Sequence, residues 1–374
     1  MALIAYLSRI QFDFGSVGLL AAELDALGVR RPLLATDAGV ASAGLLARVQ
    51  AALGGGDAAA VFAETPGNPT EEAVLAALAL YREAGCDGVV AVGGGSPMDL
   101  GKAVALLATH PGPLEGYGVL QGGTARITGA LAPVVAIPTT AGTGSEVGRA
   151  CSITLRRGRK VACVSPHLIP RVALCDPDLT LGLPPRLTAA TGMDALSHGV
   201  EAFLSSRVNP PADAIALDCV RRVCRSLERA CRDGADREAR WQMLMAALEG
   251  GLTFQKGLGA VHALSHPLGE LGLHHGTLNA VLMPAVLRFN ESHAADKYPA
   301  LRAAMDLPPG EDVAAHVSAL RARLGLPGSL RELGVPATAI PAIAEAAAGD
   351  HLSETNPRPT TVADYARLLA ESMA

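Results

Sequence analysis

Short apolar runs alternate with Ala- and Leu-rich stretches over the first half of the chain. Four of these runs are RPLLAT at 31–36, GVVAVG at 88–93, PVVAIP at 133–138 and RVALCD at 171–176. Alternation of buried strands with helical stretches indicates a parallel sheet with helices on its faces. The pattern therefore predicts an α/β domain over residues 1–181.

The spacing of the apolar residues changes near residue 182. After LGLPP at 181–185 the strand pattern disappears and helical periodicity continues to the end of the chain. Thr361 followed by Asp364 forms a capping-box pattern, which predicts the start of the last helix. A chain of 374 residues exceeds the size at which one core keeps growing, so we expect a second, all-helical domain over residues 182–374.

The composition argues against nucleic acid or a membrane as a partner. The net charge is −5 and only 3% of the residues are aromatic, so neither a basic patch nor a stacking platform is expected. No uncharged apolar run is long enough to cross a bilayer, and the first residues, MALIAYLSRIQFDFG, lack the pattern of a signal peptide. The chain has seven cysteines and no C-x-x-C pair, which indicates reduced thiols rather than a disulfide framework. We therefore expect a cytoplasmic protein.

Two similar phrases in the helical half concentrate side chains that bind metals. DALSH at 194–198 and HALSH at 262–266 each place two such side chains four residues apart, and a further pair of histidines follows at 274–275. Residues four apart share one face of a helix, so each phrase offers two donors to a common point. Scattered surface or core histidines are the alternative, but the clustering favours a metal site. Spacing alone does not choose between His262 and His266, or between His274 and His275.

A glycine turn follows the second predicted strand. VVAVGGGSPMDLGKAVALL indicates a buried strand, a tight turn and a helix whose exposed N-terminal amides could hold a phosphate. VVAIPTTAGTGSEV supplies a second, hydroxyl-rich loop after the next strand. A plain turn is the alternative for the glycines, but two such loops at strand ends suggest a crevice for a phosphorylated ligand.

Asp37 ends the strand of LLATDAG. A carboxylate at this place can accept hydrogen bonds from a ribose diol, and an ordinary turn or helix cap is the alternative. In the usual dinucleotide fingerprint the acidic residue follows the glycines, whereas Asp37 precedes Gly93. The pattern therefore departs from the ordinary Rossmann fingerprint.

Six motifs, in order along most of the chain, resemble those of the iron-containing, or group III, alcohol dehydrogenases. They are GGGSPMDLGK, IPTTAGTGSEV, SPHLIPRVALCDPDLT, TGMDALSH, HALSHPLG and HHG. The resemblance implies an N-terminal dinucleotide-binding, Rossmann-like α/β domain and a C-terminal all-helical domain that holds the metal, with the active site in the cleft between them. It also implies the activity of an NAD-linked alcohol dehydrogenase or aldehyde reductase.

The resemblance assigns the residues of the site. The implied metal ligands are Asp194, His198, His262 and His275, and His266 is implied to face the substrate as a proton carrier. The residues implied to bind the cofactor are Asp37 at the adenosine ribose, Gly94, Gly95 and Ser96 at the pyrophosphate, Thr139 and Thr140 near the nicotinamide, and also Asn68, Thr70 and Lys160. Gly148 stands where the family commonly has Thr, which removes one hydroxyl. TNPRP at 355–359 matches a C-terminal signature of the family, which we interpret as structural.

The expected chemistry follows from these parts. A divalent ion held by three imidazoles and a carboxylate stabilises negative charge on an alcohol oxygen, as hydride transfer to nicotinamide requires. Iron is the family expectation, but zinc suits the same ligands. We expect NAD as the cofactor, because Asp37 would repel the 2′-phosphate of NADP. We also expect a homodimer.

Three other functions were weighed. Maleylacetate reductases resemble this family and act without a metal, but this chain keeps all four implied ligands. A metal-dependent hydrolase would use H-E-x-x-H, and HALSH lacks the glutamate. A hydrolase would also leave the two phosphate-type loops unexplained, and a non-catalytic metal-binding protein would not need a cleft.

Overall fold

The computed structural model describes residues 4, 6, 8–54 and 60–374. The expectation that the chain lacks a signal peptide rests partly on residues 1–3, 5 and 7, which lie outside the described residues. The described residues pack as two compact units. Helices dominate the unit that contains Leu181–Ala374, to which Ala141–Thr143 also belongs, and a sheet lies at the centre of the other.

The sheet unit is built on six parallel strands in the order β1-β8-β5-β4-β2-β3. The strands are β1 (Arg9–Phe12), β2 (Pro32–Ala35), β3 (Ala60–Phe62), β4 (Gly88–Gly93), β5 (Val134–Pro138) and β8 (Val172–Cys175). Five α-helices are described in this unit: α1 (Leu20–Ala26), α2 (Ala38–Ser42), α3 (Leu45–Ala51), α4 (Glu71–Glu83) and α5 (Gly95–Thr109). The predicted α/β class and the four predicted strands are thereby confirmed.

Alternate residues of the central strands pack into two separate cores. In β2, Leu33 lies in one cluster with residues of α4 and α5, while Leu34 lies in the other with residues of α1 and α3. Val89 and Val90 of β4 divide in the same way. Both faces of the sheet are therefore covered, which explains why its strands are continuous apolar runs rather than alternating ones.

A two-stranded antiparallel hairpin, β6 (Ala150–Thr154) with β7 (Lys160–Val164), stands outside the main sheet. The sequence analysis did not predict this hairpin, nor β1 and β3. Each of the two missed sheet strands is short, with four residues in β1 and three in β3, and β1 carries Arg9 and Gln11. The polar residues of β1 hide its strand pattern, and β3, although apolar, is too short to show one.

Nine helices are described in the other unit. They are α6 (Pro185–Leu204), α7 (Pro210–Arg232), α8 (Arg237–Leu252), α9 (Ala260–Gly269), α10 (His275–Glu291), α11 (Tyr298–Ala304), α12 (Val313–Arg323), α13 (Ile340–Ala348) and α14 (Val362–Ser372). Thr361 caps α14 and Asp364 completes the capping box, as predicted. Within the described ranges, no helix combines the length and apolarity that a membrane span requires.

Candidate active site

Helix α6 carries Asp194 and His198 one turn apart on a buried face. Both side chains are almost inaccessible to solvent, and His198 Nε2 lies 3.7 Å from Asp194 Oδ1. This is the arrangement expected for two donors four residues apart on one helix. Burial lowers the pKa of His198 to about 4 despite the opposing effect of Asp194, so its ring is neutral, as a metal ligand must be.

Helices α9 and α10 bring two more imidazoles to the same oxygen of Asp194. His262 Nε2 lies 3.9 Å and His275 Nε2 lies 3.6 Å from Asp194 Oδ1. One potential ligand atom from each of these three residues lies within 4.8 Å of the other two. The rings of His198 and His262 are stacked, with their centroids 4.8 Å apart. The four side chains named by the resemblance thus converge in one buried cluster, which we call the donor cluster.

The donor cluster fits a divalent transition metal. Three imidazole nitrogens and one carboxylate oxygen are typical ligands of zinc, iron and their neighbours, and they leave room for a further ligand. Such lone pairs repel one another when they are gathered away from water, so the cluster calls for a positive group at its centre. The structure supports this fit through a neutral donor, the amide of Asn279, whose Nδ2 lies 2.7 Å from Asp194 Oδ1.

Glu201, one turn beyond His198 on α6, orients His262. His262 Nδ1 donates to Glu201 Oε2 at 2.5 Å, and Glu201 Oε1 accepts from the backbone N–H of Val261 at 2.7 Å. Burial disfavours a charged His262 ring, but Glu201 outweighs it and raises the pKa of His262. With the proton on Nδ1, the lone pair of Nε2 faces the donor cluster. The sequence analysis missed Glu201, although its spacing of three residues from His198 placed it on the same helix face.

His266 lies beside the donor cluster rather than in it. Its Nδ1 is bonded to Asp350 Oδ2 at 2.8 Å, and its ring stacks on that of His275 with centroids 6.0 Å apart. Burial raises the pKa of the Asp350 carboxyl, but the hydrogen bond from His266 outweighs this and lowers it. Asp350 was also missed, because it lies 84 residues away along the chain.

His274 has a different task from His275. It is the N-cap of α10, and its Nδ1 accepts from the backbone N–H of Thr277 at 3.3 Å. Burial lowers the pKa of His274, which keeps the ring in the neutral form that this bond requires. The structure therefore places His275 in the donor cluster and uses His274 to begin the helix.

The TNPRP segment supports α9 from outside the cluster. Asn356 Oδ1 accepts from the backbone N–H of Ala260 at 3.1 Å, which satisfies one of the free amides at the start of α9. Asn356 and Asn290 also exchange side-chain hydrogen bonds of 2.8 and 3.0 Å. Through these bonds the segment supports α9 and α10, which agrees with the structural role predicted for it.

The sheet unit gathers the residues expected at the cofactor at one edge of the sheet. Gly93, with a φ of +145°, ends β4, and its carbonyl accepts from the backbone N–H of Thr139 at 3.0 Å. A Cβ built on Gly94 would meet Thr140 Oγ1 at 3.3 Å, and this hydroxyl is buried without a partner among the described residues. Helix α5 begins at Gly95, so its N-terminal amides lie in this turn. Strand-end turns of this kind are typical phosphate sites.

Asp37 serves as a helix cap and also faces the glycine turn. Its Oδ1 accepts from the backbone N–H of Val40 at 2.8 Å, which confirms the cap that was weighed as an alternative. Its Oδ2 would lie 3.3 Å from a Cβ built on Gly93. One carboxylate oxygen therefore stays close to the turn, where it is placed to accept from a ligand.

The loop PGNPT at 66–70 contacts the glycine turn. Ser96 Oγ donates to the carbonyl of Gly67 at 2.7 Å, which ties the glycine turn to the loop that contains Asn68. Thr70 caps α4 and forms a bridge with Thr154. Lys160 pairs with Thr154 in the hairpin, and Thr154 forms the β-bridge with Thr70. The hairpin therefore connects Lys160 to the PGNPT loop.

A buried lysine that the sequence analysis did not single out fixes the hydroxyl-rich loop. Lys102 Nζ donates to the carbonyls of Ser145, Gly148 and Ala150 at 2.7, 3.0 and 2.9 Å. Asp99, on the same helix, accepts from Ser145 Oγ at 2.8 Å. The loop is thus held through its backbone at Gly148, the position that lacks the hydroxyl of the family motif.

The donor cluster could hold a metal ion, and comparison with known proteins gives the family of the chain. The model for iron-containing alcohol dehydrogenase matches residues 8–177, and that for the C-terminal part of the same family matches residues 188–373. The chain therefore belongs to the iron-containing alcohol dehydrogenase family. It is an oxidoreductase that interconverts alcohols and aldehydes.

Three similar proteins illustrate the range of this family. The 4-hydroxybutyrate dehydrogenase of Cupriavidus necator is 54% identical over 383 aligned residues, which cover 100% of both proteins. The crystal structure of a 1,3-propanediol oxidoreductase matches with a TM-score of 0.94 and 36% identity over 100% of both chains. The sulfoacetaldehyde reductase of Bifidobacterium kashiwanohense, solved with NAD+, has a TM-score of 0.90 and 28% identity, covering 100% of this chain and 99% of that chain.

Proposed function

We propose that the protein is an NAD-dependent dehydrogenase of a short primary alcohol that carries a carboxylate, with 4-hydroxybutyrate as the first candidate. The observation that carries the chemistry is the convergence of Asp194, His198, His262 and His275 in the donor cluster. The choice of substrate rests on the full-length identity of 54% with a 4-hydroxybutyrate dehydrogenase.

The proposed ligands are these four residues, and iron is the proposed metal. When bound, a divalent ion supplies the positive charge that stabilises a negatively charged substrate oxygen. Glu201 contributes by keeping the proton of His262 on Nδ1, so that Nε2 stays available. Phe254 packs edge-on against the His198 ring at 4.7 Å between ring centroids and covers that side of the cluster with an apolar surface.

The proposed proton carrier is His266. When its Nδ1–H donates to Asp350, its Nε2 is left to take up the proton released by the alcohol. The His266 side chain is 23% exposed, so the proton can pass on to solvent. The same group returns the proton when an aldehyde is reduced.

The proposed cofactor is NAD, held by Asp37 at the adenosine ribose and by Gly94, Gly95 and Ser96 at the pyrophosphate. Asn68, Thr139, Thr140 and Lys160 are proposed to complete this site. A carboxylate accepts from both ribose hydroxyls of NAD, whereas it would repel the 2′-phosphate of NADP. The relative solved with NAD+ supports this choice.

The substrate proposal is tested with matched alcohols. The iron-loaded protein is assayed by NADH formation with 4-hydroxybutyrate, 1-butanol and 1,3-propanediol. 1-Butanol has the same carbon chain as 4-hydroxybutyrate but no carboxylate. We expect kcat/KM for 4-hydroxybutyrate to exceed that for 1-butanol by about tenfold or more, since hydrogen bonds to a charged group contribute about 1.5–3 kcal/mol. Equal or higher values for either uncharged alcohol would contradict the proposal.

Three further assignments belong to this proposal. The division of the chain into a dinucleotide-binding domain over 1–181 and a metal and substrate domain over 182–374 is tested by expressing the two parts separately. The homodimer is tested by light scattering of the purified protein. The cytoplasmic location is tested by fractionating cells that express it.

A further inference from the structure

Asn279 lies one turn after His275 on α10 and is fully buried. Its side-chain nitrogen contacts three members of the donor cluster at once. The distances from Nδ2 are 2.7 Å to Asp194 Oδ1, 3.2 Å to His275 Nε2 and 3.3 Å to His262 Nε2.

Only one of the two polar side-chain atoms of Asn279 is hydrogen-bonded among the described residues. Its Nδ2 contacts the donor cluster, whereas its Oδ1 is buried and has no partner among these residues. In contrast, the buried pair of Asn290 and Asn356 is hydrogen-bonded through both side-chain oxygens and both side-chain nitrogens. Because an unpaired buried carbonyl is costly, the orientation of Asn279 is explained by its contact with the cluster and not by its own packing.

The contacts also suit the chemistry of the cluster. An amide N–H₂ group has two hydrogens and no available lone pair, so it can hold acceptors but cannot itself bind a metal. Asp194 is buried, and a buried carboxylate without a donor or a cation is strongly unfavourable. In the protein without a metal, the amide therefore satisfies the oxygen around which the three imidazoles gather.

We propose that Asn279 is a positioning residue for the metal. It holds Asp194 Oδ1 through one lone pair and leaves the second lone pair of that oxygen for the ion. The single lone pairs of His262 Nε2 and His275 Nε2 face the same point and are released to the ion when it binds. The inference rests on the ligand set proposed above. Hydrogen bonds that orient ligands in this way typically account for 10–100-fold in metal affinity.

The test measures binding of Co²⁺ to the metal-stripped protein, followed by the visible absorption bands of the bound ion. Asn279→Leu removes both donors at nearly the same volume. We expect its Kd for Co²⁺ to rise by about tenfold or more, with altered absorption bands. Leu287→Ala is the control, because Leu287 is buried on the same helix about 12 Å further along. It should lower the melting temperature and leave the Kd unchanged. A Kd for Asn279→Leu within about twofold of the wild-type value would overturn the proposal.

A second variant keeps the proposal testable if Asn279→Leu does not fold. Asn279→Ala removes the amide and leaves space for water beside Asp194, so we expect the increase in melting temperature on adding Co²⁺ to be smaller than in the wild type. An increase equal to that of the wild type would overturn the positioning role. His262→Ala separates the two levels of the argument. If that variant still bound Co²⁺ like the wild type, the ligand set itself would be wrong, whatever Asn279 does.

Discussion

His262 donates a hydrogen bond of 2.5 Å to Glu201, and both residues are buried. The bond links the helix that begins the donor cluster, α6, to the helix that continues it, α9. Glu201 also accepts from the first turn of α9 through Val261 N, so one carboxylate sets both the place of the helix and the proton on the ring. The imidazole can serve as a ligand through Nε2 only while this proton stays on Nδ1.

Glu201→Gln tests this relationship. Val261 N and His262 Nδ1 donate to different oxygens of Glu201, and in glutamine one of these two positions is a donor nitrogen. If its nitrogen donates to His262 Nδ1, the ring proton moves to Nε2 and blocks the ligand. We expect metal affinity, measured by competition with a chelator, to fall by about 10–100-fold with little loss of helicity. Wild-type affinity in Glu201→Gln would show that the bond has no such role.

His266→Ala tests the proton carrier. The variant should keep its metal, because His266 lies outside the donor cluster, and kcat should fall by about a hundredfold, the lower end of a general acid or base contribution. Asp350→Asn should lower kcat by a smaller factor. The His266 ring is still present in this variant, but an amide can either accept from or donate to its Nδ1, so the proton is no longer fixed there. Metal content by mass spectrometry and kcat are the two measurements. If His266→Ala emptied the site, His266 would have to be a ligand.

Asp37→Gly tests the preference for NAD. Removing the carboxylate takes away both the acceptor for the ribose hydroxyls and the repulsion of a 2′-phosphate. We expect the ratio of kcat/KM for NAD to that for NADP to fall by about tenfold or more, because unfavourable like charges cost several kcal/mol. The variant also loses the cap of α2, so melting temperature is measured alongside. An unchanged ratio, or a wild type that prefers NADP, would refute the assignment.

We expect Glu249, on α8, to make the stability of the protein depend on pH. Burial, with Asp218 nearby, raises the pKa of Glu249 to about 8 against the opposing effect of Arg222. The folded protein therefore holds this proton more tightly than the unfolded chain, whose glutamates titrate near 4.3. The stability that protonated Glu249 contributes is fully present below the pKa of the unfolded chain. It is lost as the pH rises through the folded-state pKa of about 8.

Glu249→Gln should remove this dependence. Unfolding free energies in urea are compared for wild type and variant at about pH 5 and about pH 8.5. We expect the variant to gain stability relative to the wild type between the two values, by an amount on the order of 1–3 kcal/mol. A difference between the two proteins that is independent of pH would contradict the raised pKa.

The parts of the fold that could be predicted are those with a strong local pattern. β4 and β5 are uninterrupted apolar runs, and α14 begins at a complete capping box. β3 has only three residues, and the hairpin of β6 and β7 alternates buried and partly exposed residues outside the main sheet. Such short elements are specified by their neighbours in space more than by their own sequence.

The candidate site shows the same division. The paired spacing in DALSH and HALSH indicated a metal cluster, and the family resemblance selected its members. Asp350 and Asn279 carry no comparable signal, because an acid and an amide in helical surroundings are ordinary residues until the fold shows what they contact. Lys102 likewise carries no signal in the sequence, and only the structure shows its ammonium buried among backbone carbonyls.

Under the proposed function, this protein oxidises a short alcohol with NAD by means of a metal held by Asp194, His198, His262 and His275. The most direct measurement is NADH formation from 4-hydroxybutyrate by chelator-treated protein to which Fe²⁺ is returned in steps, with bound iron determined in the same samples. We expect the activity of the wild type to disappear with the metal and to return in proportion to bound iron, whereas His198→Ala should neither bind iron nor recover activity. Full activity in the metal-free protein, or recovery in His198→Ala, would contradict the proposed function.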